Sequence, residues 1–130
     1  MITRTIGVTE TRTAYGPAGR MVLHEDVSLD FTAQDTLSSS TPPVSITQRI
    51  MNGTGVSDHH LLKILAATTV TDLTYQQGYC HPVSGTIVLA LSSDQPGNAY
   101  IGTYALVFTT TDGTTTATLN GNPITLNPCD

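Results

Sequence analysis

The chain is 130 residues long, enough for one domain that removes roughly two-thirds of its unfolded surface from water. Only 12% of its residues are charged, the net charge is −5, and its five cations form no cluster, which argues against a groove that tracks nucleic-acid phosphates. No apolar run approaches the ~18–20 residues of a membrane-spanning helix.

Threonine is abundant and glycine and proline are common, a mix that favours strands and turns because β-branched side chains pack well on a pleated surface. Period-two alternation begins at once. ITRTIGVTETRTAY (2–15) predicts a long first strand, GPAG (16–19) a turn, and RMVLHEDVSLDF (20–31) a second strand. TAQDTLSSSTPP (32–43) reads as a polar loop and VSITQRIM (44–51) as a third strand closed by NGTG. SDHHLLKILAATT is the ambiguous stretch. It reads as a strand, or as a short helix near 58–67 capped by Ser57 or Asp58, whose oxygens would accept the free amides of a first turn. TVTDLTYQQ, PVSGTIVLAL and AYIGTYALVFTTT follow as strands, and Asp-Gly and Asn-Gly pairs then turn the chain through TTTATLN and ITLN. The expectation is an all-β single domain over 1–130, an antiparallel meander of about eight or nine strands closed as a barrel or folded as a sandwich.

A first turn centred on Pro17 and Ala18 would set Val8 opposite Val27, Ile6 opposite Leu29, Glu10 opposite Glu25 and Arg12 opposite Leu23. One face then changes from apolar to two carboxylates and a guanidinium. Facing carboxylates raise one another's pKa when removed from water, so Glu10 and Glu25 are candidate acid/base groups, with Arg12 opposing the shift. With Gln48 and Tyr104 they would line the ligand-binding interior of a small barrel. Threonines 5, 9, 11 and 13 fall on the other, solvated face.

The two adjacent histidines, His59 and His60, point to opposite sides of a strand, so a single metal would take at most one of them there. His24, His59 and His60 are the candidate zinc ligands, one of the pair joining Asp58, His24 or Glu25. Three protein ligands and a water would make a hydrolytic centre in which His60 is the third candidate catalytic group. No HExxH, no G-x-S-x-G and no phosphate loop occurs, so the leading expectation carries no cofactor and zinc belongs to the alternative.

Cys80 and Cys129 would pair in an oxidising compartment and tie the C-terminus to the middle of the domain. No charged segment followed by an apolar one opens the chain. Either the protein is used where it is made, or this is a region that has lost its export signal. From Cys80 onward, CHPVSGTIVLAL and GTYALVFTTTDGTTTATLNGNPITLNPCD resemble the C-terminal parts of uncharacterised bacterial secreted or lipoprotein-type β-domains. The resemblance implies a β-fold and an extracellular, periplasmic or envelope location, and no activity. The leading expectation is an exported binding or structural module. The alternatives are a small-ligand-binding barrel, or a small hydrolase working through histidine and carboxylates. The partners expected are a small molecule, a protein or a second copy of the chain, and neither nucleic acid nor a membrane span.

Overall fold

The computed structural model describes residues 2–15, 17–95, 97 and 100–128. It is an antiparallel meander of eight strands in one sheet, in the order in which the chain makes them. The strands are β1 (Ile2–Tyr15), β2 (Met21–Leu37), β3 (Ile46–His59), β4 (Ile64–Gln76), β5 (Ser84–Ser92), β6 (Gly102–Thr111), β7 (Thr114–Leu119) and β8 (Asn122–Ile124). No α-helix forms among the described residues. None is therefore long and apolar enough to cross a membrane.

The sheet is open: β1 and β8 are its two edges. Strand length explains this, because the sheet runs from a β1 of 14 residues to a β8 of three, and so short a strand cannot line so long an edge. Each strand meets its neighbour in the chain along its length.

The first turn is a 3₁₀ turn, Pro17–Gly19, in which Ala18 takes a positive φ of 65°. With an irregularity between Ala14 and Tyr15, it slides the expected register by two residues: Val8 faces Leu29, Glu10 faces Val27 and Arg12 faces Glu25. A slide of two preserves parity, so each residue keeps its predicted face while the facing pair Glu10–Glu25 is lost.

The third strand does not stop at NGTG. β3 runs through Asn52–Gly55, pairing Gly53 with Phe31 and Gly55 with Leu29 on β2. These glycines make room rather than a turn. A Cβ on Gly53 would run into the Asp30 carbonyl oxygen and the Phe31 ring, and one on Gly55 would lie 2.8 Å from Leu29 Cδ2. β4 carries an extra residue at Asp72, opposite Asn52 of β3, so the pairing of the two strands shifts by one there. The Asn52 side chain ties them, accepting from the Asp72 amide (2.8 Å) and donating to its carboxylate (3.1 Å). The ambiguous stretch is a hairpin: β3 ends at His59, residues 60–63 turn with Lys63 at φ 56°, and β4 starts at Ile64. Of the two readings of this stretch, strand holds on either side of the turn, and the alternative of a short helix near 58–67 is absent because four residues of turn leave it no length. Asp112–Gly113 and Asn120–Gly121 form the predicted tight turns, all four residues at positive φ.

Register divides the sheet into two faces. One carries Val8, Val27, Leu29, Phe31, Met51, Val70, Leu73, Ile87, Leu89, Leu106 and Phe108, and we call it the apolar face. The other carries most of the exposed threonines, with Asp26, Asp30 and Asp58. The core cluster is Val70, Leu73, Phe108 and Ala117, with Leu126 of the C-terminal tail packed against them, and Val27, Ile64 and Ala66 are buried on the same face toward the β3–β4 hairpin. The chain exposes 8559 Å² of surface, against about 6,600 Å² for a compact monomer of its mass.

Candidate functional site

The hairpin joining β3 and β4 sends its two histidines to opposite faces, as strand geometry requires. His59 lies on the apolar face with Glu25 across from it on β2, His59 Nδ1 standing 2.9 Å from Glu25 Oε2. Glu25 is only 7% exposed. Ser57, two residues back on the same face, places its hydroxyl 3.4 Å from Glu25 Oε2 and 3.2 Å from His59 Nε2. The three residue types are those of a nucleophile–base–acid relay, but the arrangement is not. In a relay the serine and the carboxylate lie on opposite sides of the imidazole. Here the serine hydroxyl, which meets Nε2, also lies 3.4 Å from the carboxylate oxygen that meets Nδ1, so the three side chains form a closed triangle. Such a triangle stabilises a buried carboxylate and aims no hydroxyl outward.

His60 serves the other face. Its Nε2 stands 2.7 Å from Asp26 Oδ2, Thr11 donates to the other oxygen of Asp26 at 2.6 Å, and Asp58 lies 3.9 Å from His60 Nδ1. The sheet therefore separates the two imidazoles. Among the described residues no three histidines, cysteines or acids gather as a metal site. The side chains of His24 and Arg12 lie outside the described residues; their backbones pair with Thr13 and Glu25.

At the opposite end of β3, Arg49 makes a two-pronged bond to Asp35, Nε at 2.7 Å and a terminal nitrogen at 3.0 Å. Asp35 is buried, and its hydrogen bond raises the Arg49 pKa above the ordinary guanidinium value. A surface cavity of about 470 Å³ opens beside the pair, lined by Gln48, Tyr75 and Gln76 among others. Gln48 thus lies 11 residues along β3 from His59, about 36 Å at strand rise. The expected cluster of Glu10, Arg12, Glu25 and Gln48 is therefore not one site: Arg12 and Glu25 are register neighbours, Glu10 sits beside Val27, and Gln48 is remote. Tyr104 stands on the apolar face, across β5 from Thr68, and its hydroxyl donates to the Tyr100 carbonyl at 3.4 Å.

Cys80 lies just before β5, and Cys129 is outside the described residues. Next to Cys80, His81 Nε2 is 2.6 Å from the Asn127 carbonyl oxygen, which holds the tail against this loop.

Sequence reading missed the Asp35–Arg49 and Asp26–His60 pairs. The first was hidden because residues 32–37 read as loop; the second needed the register between β2 and β3. No family model, curated protein or solved structure matches the chain. Val8, Leu29, Leu89, Leu91 and Tyr104 stand half-buried on the apolar face, whereas Val56, Leu65 and Val107 stand exposed on the other.

Proposed function

We propose that the protein is an exported, non-catalytic β-module that works by binding another protein surface through its apolar face. One observation carries this reading: the eight-stranded sheet is open, and one of its two faces is apolar along its length. Domains bury such a face against a second layer, because apolar surface left in water costs roughly 25 cal/mol per Å². The closed Ser57–His59–Glu25 triangle supports a structural rather than a chemical role for the histidine hairpin.

Export is supported by the low charge, the threonine-rich outer face and a proposed Cys80–Cys129 disulfide. The His81–Asn127 bond brings the tail to within two residues of Cys129 beside the loop that holds Cys80.

Carbene footprinting in the cells that make the protein tests the binding face. Leu29, Leu89, Leu91 and Tyr104 are expected to label several-fold less in the cells than in dilute pure protein, and the exposed Val56, Leu65 and Val107 of the other face to label alike in both. Labelling of the first four that is the same in the cells and in dilute protein would overturn the reading. Stoichiometric zinc in untagged protein, or an esterase activity lost in both Ser57→Ala and His59→Ala, would overturn its non-catalytic part.

A further inference from the structure

We infer that a second copy of this chain pairs along β1, the two β1 strands lying antiparallel about a two-fold axis at Gly7 so that one sheet runs through both protomers. The edge and the apolar face are separate surfaces, so this pairing does not depend on the binding-module reading.

The edge is open to a partner. Among the described residues β1 borders the sheet, with β2 on one side of it. It pairs with β2 without irregularity from Ile2 to Ala14. Edge strands that stay solvated are commonly short, bulged, or marked by lysine or proline. β1 is 14 residues long, and neither lysine nor proline occurs in ITRTIGVTETRTAY. On alternate residues its amides and carbonyls point away from β2, as an antiparallel ladder requires. The other edge is unlike it: β8 has three residues, and one of them is Pro123.

The sequence of β1 is complementary to itself. Laid antiparallel on its own copy with Gly7 opposite Gly7, it sets Ile6 opposite Val8, Thr5 opposite Thr9, Arg4 opposite Glu10 and Thr3 opposite Thr11. Aliphatic meets aliphatic, threonine meets threonine and cation meets anion, which are the pairs that stabilise antiparallel strands. The two-fold repeats each pair, so Arg4 and Glu10 oppose one another at two places. Neighbouring registers lose this match. An axis at Val8 sets Arg4 opposite Arg12 and Ile6 opposite Glu10, and an axis at Ile6 sets Arg4 opposite Val8 and Ile2 opposite Glu10.

Gly7 supports the same axis independently. It does not take a positive φ, and an added Cβ would meet only the Leu29 carbonyl oxygen, at an ordinary 3.9 Å. Nothing in its own chain therefore calls for a glycine there. Gly53 and Gly55 differ, since their missing Cβ atoms make room for Phe31 and Leu29. A glycine inside a strand weakens it and marks a place where another backbone comes close. On the two-fold that backbone is the copy's own Gly7.

Sedimentation of the full chain at 1–100 µM tests this. A species of twice 13.7 kDa is expected. Arg4→Glu and Glu10→Arg each set like charges opposite one another at both places, and each is expected to weaken the dimer roughly tenfold to a hundredfold. Mixed in equal amounts, the two variants are expected to form a heterodimer about as tight as the wild-type dimer, because each then meets the opposite charge at both places. Amide exchange reads the edge directly. Alternate β1 amides between Thr3 and Thr11, those turned away from β2, are expected to exchange several-fold more slowly at 100 µM than at 1 µM. Circular dichroism of the variants at 1 µM separates lost association from lost folding, and if either fails to fold, the wild-type exchange rates decide. A wild-type monomer at 100 µM would overturn the proposal. So would a dimer that both charge variants leave intact, or folded variants that mixing does not restore. Exchange of those β1 amides at one rate at every concentration would overturn it as well.

Discussion

At one end of the apolar face, Val70, Leu73, Phe108 and Ala117 close on one another beneath Leu126. At the other end, Glu25, Ser57 and His59 occupy the positions where a core would be, and Leu89 and Leu91 stand half-covered beside them. The same sheet carries both ends, so propensity and pairing do not account for the difference. At the first end the tail comes back over the strands and Leu126 packs on the cluster. At the second, Val27, Ile64 and Ala66 are buried beside the paired Glu25 without it, and Leu89 and Leu91 stay half-covered.

The largest way to break that contrast is Phe108→Ala. Phe108 is 8% exposed at the centre of the cluster, and its loss is expected to cost about 3–5 kcal/mol in urea unfolding. Leu91→Ala at the half-covered end is expected to cost less than about 1 kcal/mol when measured on the dissociated chain. Equal costs at the two ends would deny that the tail is what separates them.

Removing the tail's anchor comes next. If Cys80 and Cys129 are joined, opening a loop of this length costs up to roughly 4 kcal/mol by the chain-entropy model. Cys80→Ser is expected to lower stability by about 2–4 kcal/mol and to speed hydrogen exchange first at Phe108 and Ala117, with His59 and Glu25 unaffected. A titration that finds two free thiols in protein from an oxidising compartment would remove the anchor from the account.

Gly53 sharpens the comparison from inside the sheet. It sits at φ 149°, and an added Cβ would strike the Asp30 carbonyl and the Phe31 ring. Gly53→Ala is expected to cost about 2–3 kcal/mol, since the obstacles include backbone that cannot rotate away. Gly78→Ala, with open space around its missing Cβ, also takes a positive φ, 91°, and is expected to cost about 1 kcal/mol by strain alone. The gap between the two, read from melting curves, measures how tightly β2 and β3 meet over Phe31.

Much of the fold was legible because its signals are local. Alternation from 2 to 15 marked β1 to the residue, and Asp112–Gly113 and Asn120–Gly121 announced their turns. The failures share one cause: the deciding contact was not local. Asn52-Gly53 looks like a turn until Phe31 is known to need the space across the strand. Residues 32–37 look like loop until Asp35 is known to meet Arg49. A register inferred from a turn went wrong by two residues because Ala18 entered the left-handed region. The candidate site fared in the same way. Divergence of the two histidines followed from strand geometry, and the meeting of His59 with Glu25 confirmed which one reaches the inner end of the first hairpin. That the sheet would stay open was illegible, since it depends on β8 being three residues long.

The smallest effect sets the two histidines against each other, since they are neighbours in sequence with the same kind of partner. Glu25 and His59 have side chains 9% and 30% exposed, whereas Asp26 and His60 are 53% and 35% exposed. Solvent screens the second pair and not the first, so their coupling should differ although the distances, 2.9 and 2.7 Å, are alike. Double-mutant cycles with Glu25→Gln and His59→Gln are expected to give a coupling of about 1 kcal/mol. The matching cycle with Asp26→Asn and His60→Gln should give about 0–0.5 kcal/mol. Raising the salt to 1 M should erase the smaller value and leave most of the larger. Couplings that are equal, and equally lost at 1 M salt, would mean that the two pairs meet the same solvent.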